Sequence, residues 1–202
     1  MIPLILASSS PSRLKLLKQI RIEPDLIYPP DIDEKDMVGE KPIQLALRLA
    51  VEKAICVAEK QAEKQKEAYI LAADTVTAVG RRILPKAIND ELVMQCLSLI
   101  SGRRNKVYTG VCVIKKQGDS TIIRKKVVTT TQKIKRLTPN DIKQYIQIKE
   151  GINKSGGCMI EGMMGSFVEF INGSYSNIVG LPLYETRNML TSLGFNNFKL
   201  EK

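Results

Sequence analysis

Apolar and polar positions at the start of the chain predict a strand, a loop and a helix in quick succession. Residues 2–6 form a short apolar run typical of a buried strand. The polar residues 7–10 follow, and Pro11 then begins a stretch whose leucines have helical spacing. Such a loop exposes unpaired backbone N–H groups at the positive end of a helix dipole, which suits a phosphate. An ordinary helix start, with Ser10 as N-cap and Pro11 in the first turn, explains the same residues equally well.

The rest of the chain alternates between helical and extended patterns. Apolar spacing and capping residues predict helices at residues 42–66, 90–100, 138–148 and 183–193. Strands are predicted at residues 69–79, 83–84, 106–115, 121–137 and 167–171, with shorter ones near Met159 and at 198–200. Residues 23–41 and 172–177 are predicted to be loops. This alternation predicts an α/β fold with a mixed sheet flanked by helices.

Composition places the chain among ordinary globular proteins. Its 202 residues suffice for one domain or two small lobes, and 44% of them are hydrophobic. No apolar run approaches the ~20 residues that span a bilayer, and the start of the chain lacks the features of a signal peptide. We therefore expect a cytoplasmic protein without membrane contact.

Histidine is absent from the chain, and this narrows the possible chemistry. Histidine-based catalytic triads and histidine metal sites are excluded. The four cysteines are far apart and form no C-x-x-C pair, so they are interpreted as reduced core residues. If the protein is an enzyme, its base is expected to be a carboxylate. Any metal is then expected to have oxygen ligands, which favours Mg²⁺ or Mn²⁺.

The formal net charge of +10 points weakly to an anionic partner. Nucleic acid is one candidate, but the lysines are scattered and only four Phe and six Tyr could stack on bases. A small anionic substrate explains the charge as well. We therefore do not predict specific nucleic-acid binding.

Four charged residues lie where their surroundings make them candidates for function. Asp74 interrupts an apolar strand, where a carboxylate needs cations or hydrogen bonds to compensate for burial. Lys53 falls in the middle of the apolar face of the helix predicted at residues 42–66. Lys86 follows a hairpin, and Glu34 ends an acidic loop. Each also has a structural explanation: a hydrogen-bonded Asp, a lysine whose charged end reaches water, and solvated loop residues.

Taken together, these residues favour phosphate-ester or phosphoanhydride chemistry. Cations would neutralise a polyphosphate, a hard divalent metal would bridge its oxygens, and a carboxylate would position or deprotonate water. Order along the chain does not establish that these side chains meet.

Several short motifs, in the same order along nearly the whole chain, resemble one family. They are residues 4–13 (LILASSSPSR), 33–34 (DE), 49–54 (LAVEKA), 73–75 (ADT), 101–103 (SGR), 107–110 (VYTG), 173–177 (GSYSN) and 180–183 (GLPL). Each motif is weak alone, but the ordered set is specific. The chain is similar to the Maf family, septum-formation-inhibitor-like proteins that act as nucleoside triphosphate pyrophosphatases.

The resemblance implies a single Maf-like domain over residues 1–202, an elongated α/β fold of two lobes with a central cleft, and assembly as a homodimer. It implies cleavage of a nucleoside triphosphate between its α- and β-phosphates, with Mg²⁺ or Mn²⁺, for non-canonical or surplus nucleotides. A link to cell-division arrest is also implied.

The resemblance further assigns roles to residues, which are hypotheses here. Asp74 matches the proton acceptor, and Glu34, Lys53 and Lys86 match charged positions of the cleft. Asp74 and Glu34 are the expected metal ligands, and Arg13, Lys53 and Lys86 are expected to bind the polyphosphate. The expected substrate-binding residues are Ser8, Arg13, Thr75 and Glu161.

Several positions depart from the family pattern. Ser12 replaces the first of two adjacent arginines, Ala87 follows Lys86 where proline is usual, and Asn105 stands where histidine is frequent. In the glycine-rich loop, Cys158 replaces tyrosine and Glu161 replaces glutamine. An ionised carboxylate cannot donate a hydrogen bond as an amide does.

These departures leave the preferred base open. The motif around Thr75 resembles the branch acting on dTTP and UTP, whereas a glutamate at position 161 resembles the branch preferring modified guanosine nucleotides. A nucleotide-binding regulator of septation with little turnover is the alternative function.

Overall fold

The computed structural model describes residues 2–61 and 66–197. Its strands are β1 (Leu4–Ala7), β2 (Leu26–Ile27), β3 (Glu67–Val79), β4 (Arg82–Leu84), β5 (Lys86–Ala87), β6 (Arg104–Gln117), β7 (Ser120–Ile134), β8 (Lys154–Ser155) and β9 (Val168–Asn172). Its helices are α1 (Pro11–Gln19), α2 (Pro42–Lys60), α3 (Asp90–Ile100), α4 (Pro139–Gln147), α5 (Tyr175–Val179) and α6 (Leu183–Ser192), with a 3₁₀ helix at Met163–Phe167. No helix among these residues has the length and apolarity needed to cross a membrane.

A seven-stranded mixed sheet in the order β2-β1-β3-β6-β7-β9 organises the fold, and β4 also pairs with β3. One edge of β3 is shared by two partners. β1 runs parallel to it as far as the Ala7–Ala72 pair, and β4 pairs with it antiparallel from Thr77 onward. The register therefore leaves residues 73–76 of β3 between the ends of these two partners. This gap opens the middle of the sheet to a cleft.

The two faces of β1 and β3 bury different side chains because successive residues point to opposite faces. Leu4, Leu6 and Leu71 pack in one cluster with residues of α1 and α6. Their neighbours, such as Ile5 and Ile70, pack on the other face against the small residues of α2. A separate cluster joins α3 and α4 to the end of β7 and the 3₁₀ helix. Hydrophobic packing thus lies on both sides of the gap in β3.

The predicted α/β class with a mixed sheet flanked by helices is confirmed.

Helix α2 ends at Lys60, so the prediction that it continues to about Lys66 was wrong. Gln61 is the C-cap, and its N–H donates to the carbonyl of Val57. Val57 is also the last apolar residue that the helix buries.

Two predictions between Met159 and Asn177 were also wrong. The strand expected near Met159 is a turn leading into the 3₁₀ helix, because the Met159 N–H donates to the Tyr145 hydroxyl rather than to a neighbouring strand. The loop expected at residues 172–177 contains α5, whose N-cap Ser174 accepts from the Asn177 N–H. The short strands β2, β5 and β8 were not predicted, and the strand predicted at 198–200 lies outside the described residues.

Gly110 determines how closely α2 approaches the sheet. It pairs with Asp74 of β3, and a Cβ at this position would lie 2.1 Å from the Ala46 carbonyl oxygen of α2. We expect Gly110→Ala to force α2 away and to lower the free energy of unfolding by about 3 kcal/mol, measured by urea unfolding.

Gly118→Ala is the control for this prediction. Gly118 has a φ of +59°, and a Cβ at this position would have no atom within 4 Å, so alanine there meets backbone strain of about 1 kcal/mol without a clash. Equal losses in the two variants would contradict the close approach of α2.

Candidate active site

A buried lysine between two carboxylates lies at the centre of the cleft. Lys53 Nζ is 2.5 Å from Asp74 Oδ1 and 2.6 Å from Glu34 Oε1. Lys53 is only 6% exposed and Asp74 only 7%, whereas the Glu34 side chain is about half exposed. These three residues come from a strand, a helix and a loop that lie far apart in the sequence, and the fold brings them together.

The position of Asp74 follows from the sheet register. Asp74 lies within residues 73–76 of β3, in the gap between β1 and β4. Its side chain is on the face of β3 that α2 covers, because it has the parity of Ala72 and Ile70. The close approach of α2 at Gly110 then brings Lys53, two turns along the helix from Ala46, to this carboxylate.

Glu34 completes the cluster from the long loop that precedes α2. Burial alone would raise the pKa of Glu34, but the hydrogen bond and charge of Lys53 outweigh it, with help from Lys86 and Arg13. The pKa of Glu34 therefore lies below its ordinary value. Lys86, an exposed residue of β5, acts on Glu34 through its charge rather than through direct contact.

The serine loop and α1 form the neighbouring wall. Ser10 is the N-cap of α1, as in an ordinary capped helix. Ser8 nevertheless turns inward and accepts from Arg13 Nη1 at 3.1 Å. The same guanidinium donates through Nε to the Gly180 carbonyl and through Nη2 to Thr75 Oγ1. The two explanations of this segment are thus compatible: one serine caps the helix while another orients an arginine.

Arg13 carries its charge into the cleft with only uncharged acceptors in direct contact. Ser8, Gly180 and Thr75 supply neutral oxygens at 2.9–3.3 Å. Burial lowers the pKa of Arg13, and the charges of Asp74 and Glu34 act in the opposite sense. A guanidinium stays protonated in proteins, so an oriented positive charge is available for an anionic ligand.

Apart from Gly180, these groups border one cavity of about 510 Å³. Seven of the eight predicted site residues line it, namely Ser8, Arg13, Glu34, Lys53, Asp74, Thr75 and Lys86. Its charged lining residues comprise five cations and three carboxylates, since Lys35, Asp36 and Lys154 contribute as well. The excess of positive charge complements a polyphosphate.

Glu161 is the predicted site residue that lies outside the cavity lining. Its Oε2 accepts a hydrogen bond of 2.9 Å from Ser12, and its Oε1 lies 3.6 Å from Lys15 Nζ. Both carboxylate oxygens thus face α1. Ser12 lines the cavity, so Glu161 borders it indirectly.

Some cavity residues escaped sequence analysis. Lys154 lies on β8, a strand of two residues that pairs with β5. A strand this short has no recognisable alternation of polar and apolar residues in the sequence. Lys35 and Asp36 follow Glu34 directly and could have been included with the acidic loop. Gln132 lies on a long polar strand and carries no local signal.

The residues present fit a divalent metal that also binds its substrate. No group of three or more Asp, Glu, Cys or His side chains able to hold a metal occurs in the described part of the chain. Glu34 and Asp74 contact Lys53 through one oxygen each, which leaves Oε2 and Oδ2 for a cation. Mg²⁺ commonly takes one or two carboxylates and completes its shell with substrate phosphates and water.

The fold and the site together define an α/β protein with a cleft built for a phosphorylated ligand and for carboxylate chemistry. The sequence profile of the Maf-like proteins matches residues 3–193. The chain belongs to the Maf family, as its motifs predicted.

Its relatives are similar over almost their full length. Proteins named nucleoside triphosphate pyrophosphatase from Rickettsia felis and Rickettsia rickettsii (strain Sheila Smith) are each 54% identical over 96% of this chain, covering 94% and 89% of those proteins. A protein of the same name from Orientia tsutsugamushi is 52% identical over 97% of this chain and 94% of its own length. The structure of a HAM1 protein from Coxiella burnetii has a TM-score of 0.52 at 15% identity, covering 95% of this chain and all of that one. That likeness shows a shared fold.

Lys53→Met tests the buried charge cluster. The change keeps the length of the side chain but leaves Asp74 buried without its cation, so we expect the free energy of unfolding at pH 7 to fall by about 3 kcal/mol. Lys35→Met, which removes a highly exposed lysine 3.9 Å from Asp33, should change it by less than about 0.5 kcal/mol. Similar losses in both variants would contradict the model of a buried cluster.

Lys53→Met should also change how the free energy of unfolding depends on pH in acid. The lowered folded-state pKa of Glu34 stabilises the wild type above the unfolded value of about 4.3, and this contribution is lost as pH falls through the lower folded-state pKa. Lys53→Met removes the largest stabilising influence on ionised Glu34. Unfolding curves at pH 3–6 should therefore show a smaller difference between wild type and variant at the acid end.

Proposed function

We propose that this protein is a metal-dependent nucleoside triphosphate pyrophosphatase that releases pyrophosphate and leaves the nucleoside monophosphate. The observation that carries the proposal is the placement of Asp74 and Glu34 around Lys53 in the cavity that Arg13 also enters. The names of the relatives agree with this activity.

Asp74 is the proposed proton acceptor. A water molecule attacks the α-phosphorus and forms a new P–O bond. The bond between that phosphorus and the bridging oxygen breaks, so pyrophosphate leaves with its electron pair. The attacking water transfers a proton to Asp74, whose other oxygen is fixed by Lys53 at 2.5 Å. A positioned base of this kind contributes about 10²–10⁴-fold to a rate.

Glu34 is the principal proposed metal ligand. Asp74 would share the metal only in the resting site, because its one oxygen free of Lys53 is the oxygen that takes the proton during the reaction. Mg²⁺ or Mn²⁺ would neutralise developing charge on the phosphate oxygens. Lys53 contributes by holding both carboxylates in one place, so their remaining oxygens converge on the cavity.

Arg13, Ser8 and Lys86 are the proposed polyphosphate-binding residues. Arg13 supplies an oriented guanidinium, and Ser8 fixes its direction. Thr75 is hydrogen-bonded to both Arg13 and Thr109, so its proposed contribution to substrate binding runs largely through Arg13. Glu161 acts at the cavity rim through Ser12.

The proposed substrates are non-canonical, modified or surplus nucleotides, consistent with the family resemblance. Homodimer assembly and a link to cell division stay predictions from the same resemblance, and a cytoplasmic location stays a prediction from the composition of the chain. Light scattering of the purified protein tests the first of these.

Asp74→Asn tests the proton acceptor. The amide keeps the shape of the side chain but is a much weaker base, so we expect kcat for pyrophosphate release to fall at least about 100-fold. Nucleotide binding, measured by calorimetry, should persist. Asp33→Asn, at an exposed neighbour of Glu34, is the control and should keep wild-type activity. Retained turnover in Asp74→Asn would remove Asp74 from this role.

A panel of triphosphates tests the function itself. Canonical and modified nucleoside triphosphates are assayed for pyrophosphate release with Mg²⁺ and with Mn²⁺, and EDTA should abolish the release. We expect at least one member to be hydrolysed. Nucleotide binding without release from any member would favour the alternative function, a regulator of septation.

A further inference from the structure

An arginine outside the cavity is hydrogen-bonded to the loop that carries Glu34. Arg48 of α2 uses four of the five N–H groups of its guanidinium. Nε and Nη2 donate to the two carboxylate oxygens of Glu40, each at 2.8 Å. Nη1 donates to Glu52 Oε2 at 3.1 Å, and Nη2 also donates to the Lys35 carbonyl at 2.9 Å. Lys35 lines the cavity, whereas Arg48 does not.

The loop has little else to hold it near Glu34. Residues 28–41 join β2 to α2 without helix or strand, and residues 33–39 are all exposed. Within the described parts of the chain, residues 29–36 form no hydrogen bond between backbone groups. Ile32 packs on the apolar cluster at the start of α2, just before Glu34. Just after Glu34, Arg48 supplies the hydrogen bond that joins the main chain to α2.

The contact between Arg48 and Glu40 fixes a second point of the loop. The Arg48 side chain is 19% exposed and that of Glu40 only 9%. A guanidinium that donates two parallel hydrogen bonds to one carboxylate has a defined geometry. These bonds lower the pKa of Glu40, which therefore stays ionised. Glu40 Oε2 also accepts from the Met37 N–H at 3.1 Å, so Glu40 ties this turn of the loop to Arg48.

Helix α2 thus contacts the segment around Glu34 in two different ways. Lys53 lies 2.6 Å from the Glu34 carboxylate, whereas Arg48 holds the adjacent main chain. The two residues are five positions apart, which is about 7.5 Å along the helix axis. The Glu34 side chain is half exposed and loses conformational freedom when it binds a cation. A main chain that is already fixed reduces the further ordering that binding requires.

We propose that Arg48 is a positioning residue, which holds the main chain at Lys35 against α2 and so presents the Glu34 carboxylate to the metal. The inference rests on the proposed function, because it takes Glu34 as the principal metal ligand. Arg48 contacts neither the metal nor the nucleotide in this proposal. It acts through the loop, as residues that orient metal ligands do.

Arg48→Met is the main test. Methionine keeps much of the length of the side chain and removes all its hydrogen bonds. Mn²⁺ binding is measured by electron paramagnetic resonance with an α,β-methylene nucleoside triphosphate, which cannot be cleaved at that position. We expect the Kd for Mn²⁺ to rise at least about tenfold. With a cleavable nucleotide, kcat at saturating Mn²⁺ should stay within about threefold of the wild type, because Asp74 is unchanged.

Glu52→Gln is the matched control. It removes the charge of another partner of the same guanidinium but leaves the contacts of Arg48 with Lys35 and Glu40. It should change neither the Kd for Mn²⁺ nor kcat. A rise in Kd as large as that of Arg48→Met would contradict a role exerted through the loop.

Proteolysis reports on the loop without turnover or metal. An endoproteinase that cleaves after lysine must open the main chain at Lys35, where the scissile bond contains the carbonyl that Arg48 holds. We expect cleavage there to be at least about tenfold faster in Arg48→Met than in the wild type. Cleavage after Lys149, in another exposed turn, should stay within about twofold. The same increase at both bonds would show a general loss of stability and would overturn the proposal.

A double variant decides the question if Arg48→Met does not fold. Arg48→Met leaves the Glu40 carboxylate buried without its cation, which is strongly destabilising. Combining it with Glu40→Gln removes both charges and still frees the Lys35 carbonyl. This double variant should show the same rise in Kd and the same faster cleavage after Lys35.

The outcomes separate this inference from the proposed function. Unchanged cleavage after Lys35, or faster cleavage with an unchanged Kd for Mn²⁺, would overturn the role of Arg48. Failure of the wild type to release pyrophosphate from any nucleoside triphosphate would overturn the proposed function instead. Arg48 would then still be judged by cleavage and Mn²⁺ binding, because neither measurement depends on turnover.

Discussion

A lysine ammonium held out of water between two carboxylates is the interaction on which the cleft depends. Taking Lys53 and Asp74 out of water costs several kcal/mol per ion unless geometry and further hydrogen bonds compensate. Contacts of 2.5 and 2.6 Å supply that compensation. They also require α2 to lie close against the sheet, which is possible because Gly110 has no side chain opposite Ala46. The absence of a side chain at Gly110 of β6 thus allows Lys53 to reach Asp74.

The interrupted edge of β3 explains how one cavity can use both faces of a sheet. Asp74 and Thr75 are adjacent and point to opposite faces, where they meet Lys53 and Arg13 respectively. In a continuous sheet a neighbouring strand would separate these two groups. Here β1 has ended and β4 has not begun, so the cavity passes around the open edge. The acidic cluster and the arginine can therefore act on one ligand.

The site residues that could be predicted from the sequence are charged residues that interrupt a run or a face of apolar residues. Asp74 stands out in an apolar strand and Lys53 on an apolar helix face, and both are buried in the cleft. Features that depend on contacts between distant segments could not be predicted from local sequence. For example, β5 and β8 are strands only because they pair with each other. Gln132 was equally invisible, because a glutamine in a polar strand looks solvated until its neighbours are known. The fold class could be predicted because it depends on periodicity, whereas these contacts depend on register.

Ser12 and Glu161 illustrate how two departures from a family pattern can be one change. They are 149 residues apart, yet the Ser12 hydroxyl donates to Glu161 Oε2 at 2.9 Å. An arginine at position 12 and an amide at position 161, as in the family pattern, would put different charges at the same contact. In this chain Lys15 supplies the cation for Glu161 from the next turn of α1. The Glu161 carboxylate thereby lies against α1, and Arg13 is the residue of α1 that supplies positive charge to the cavity.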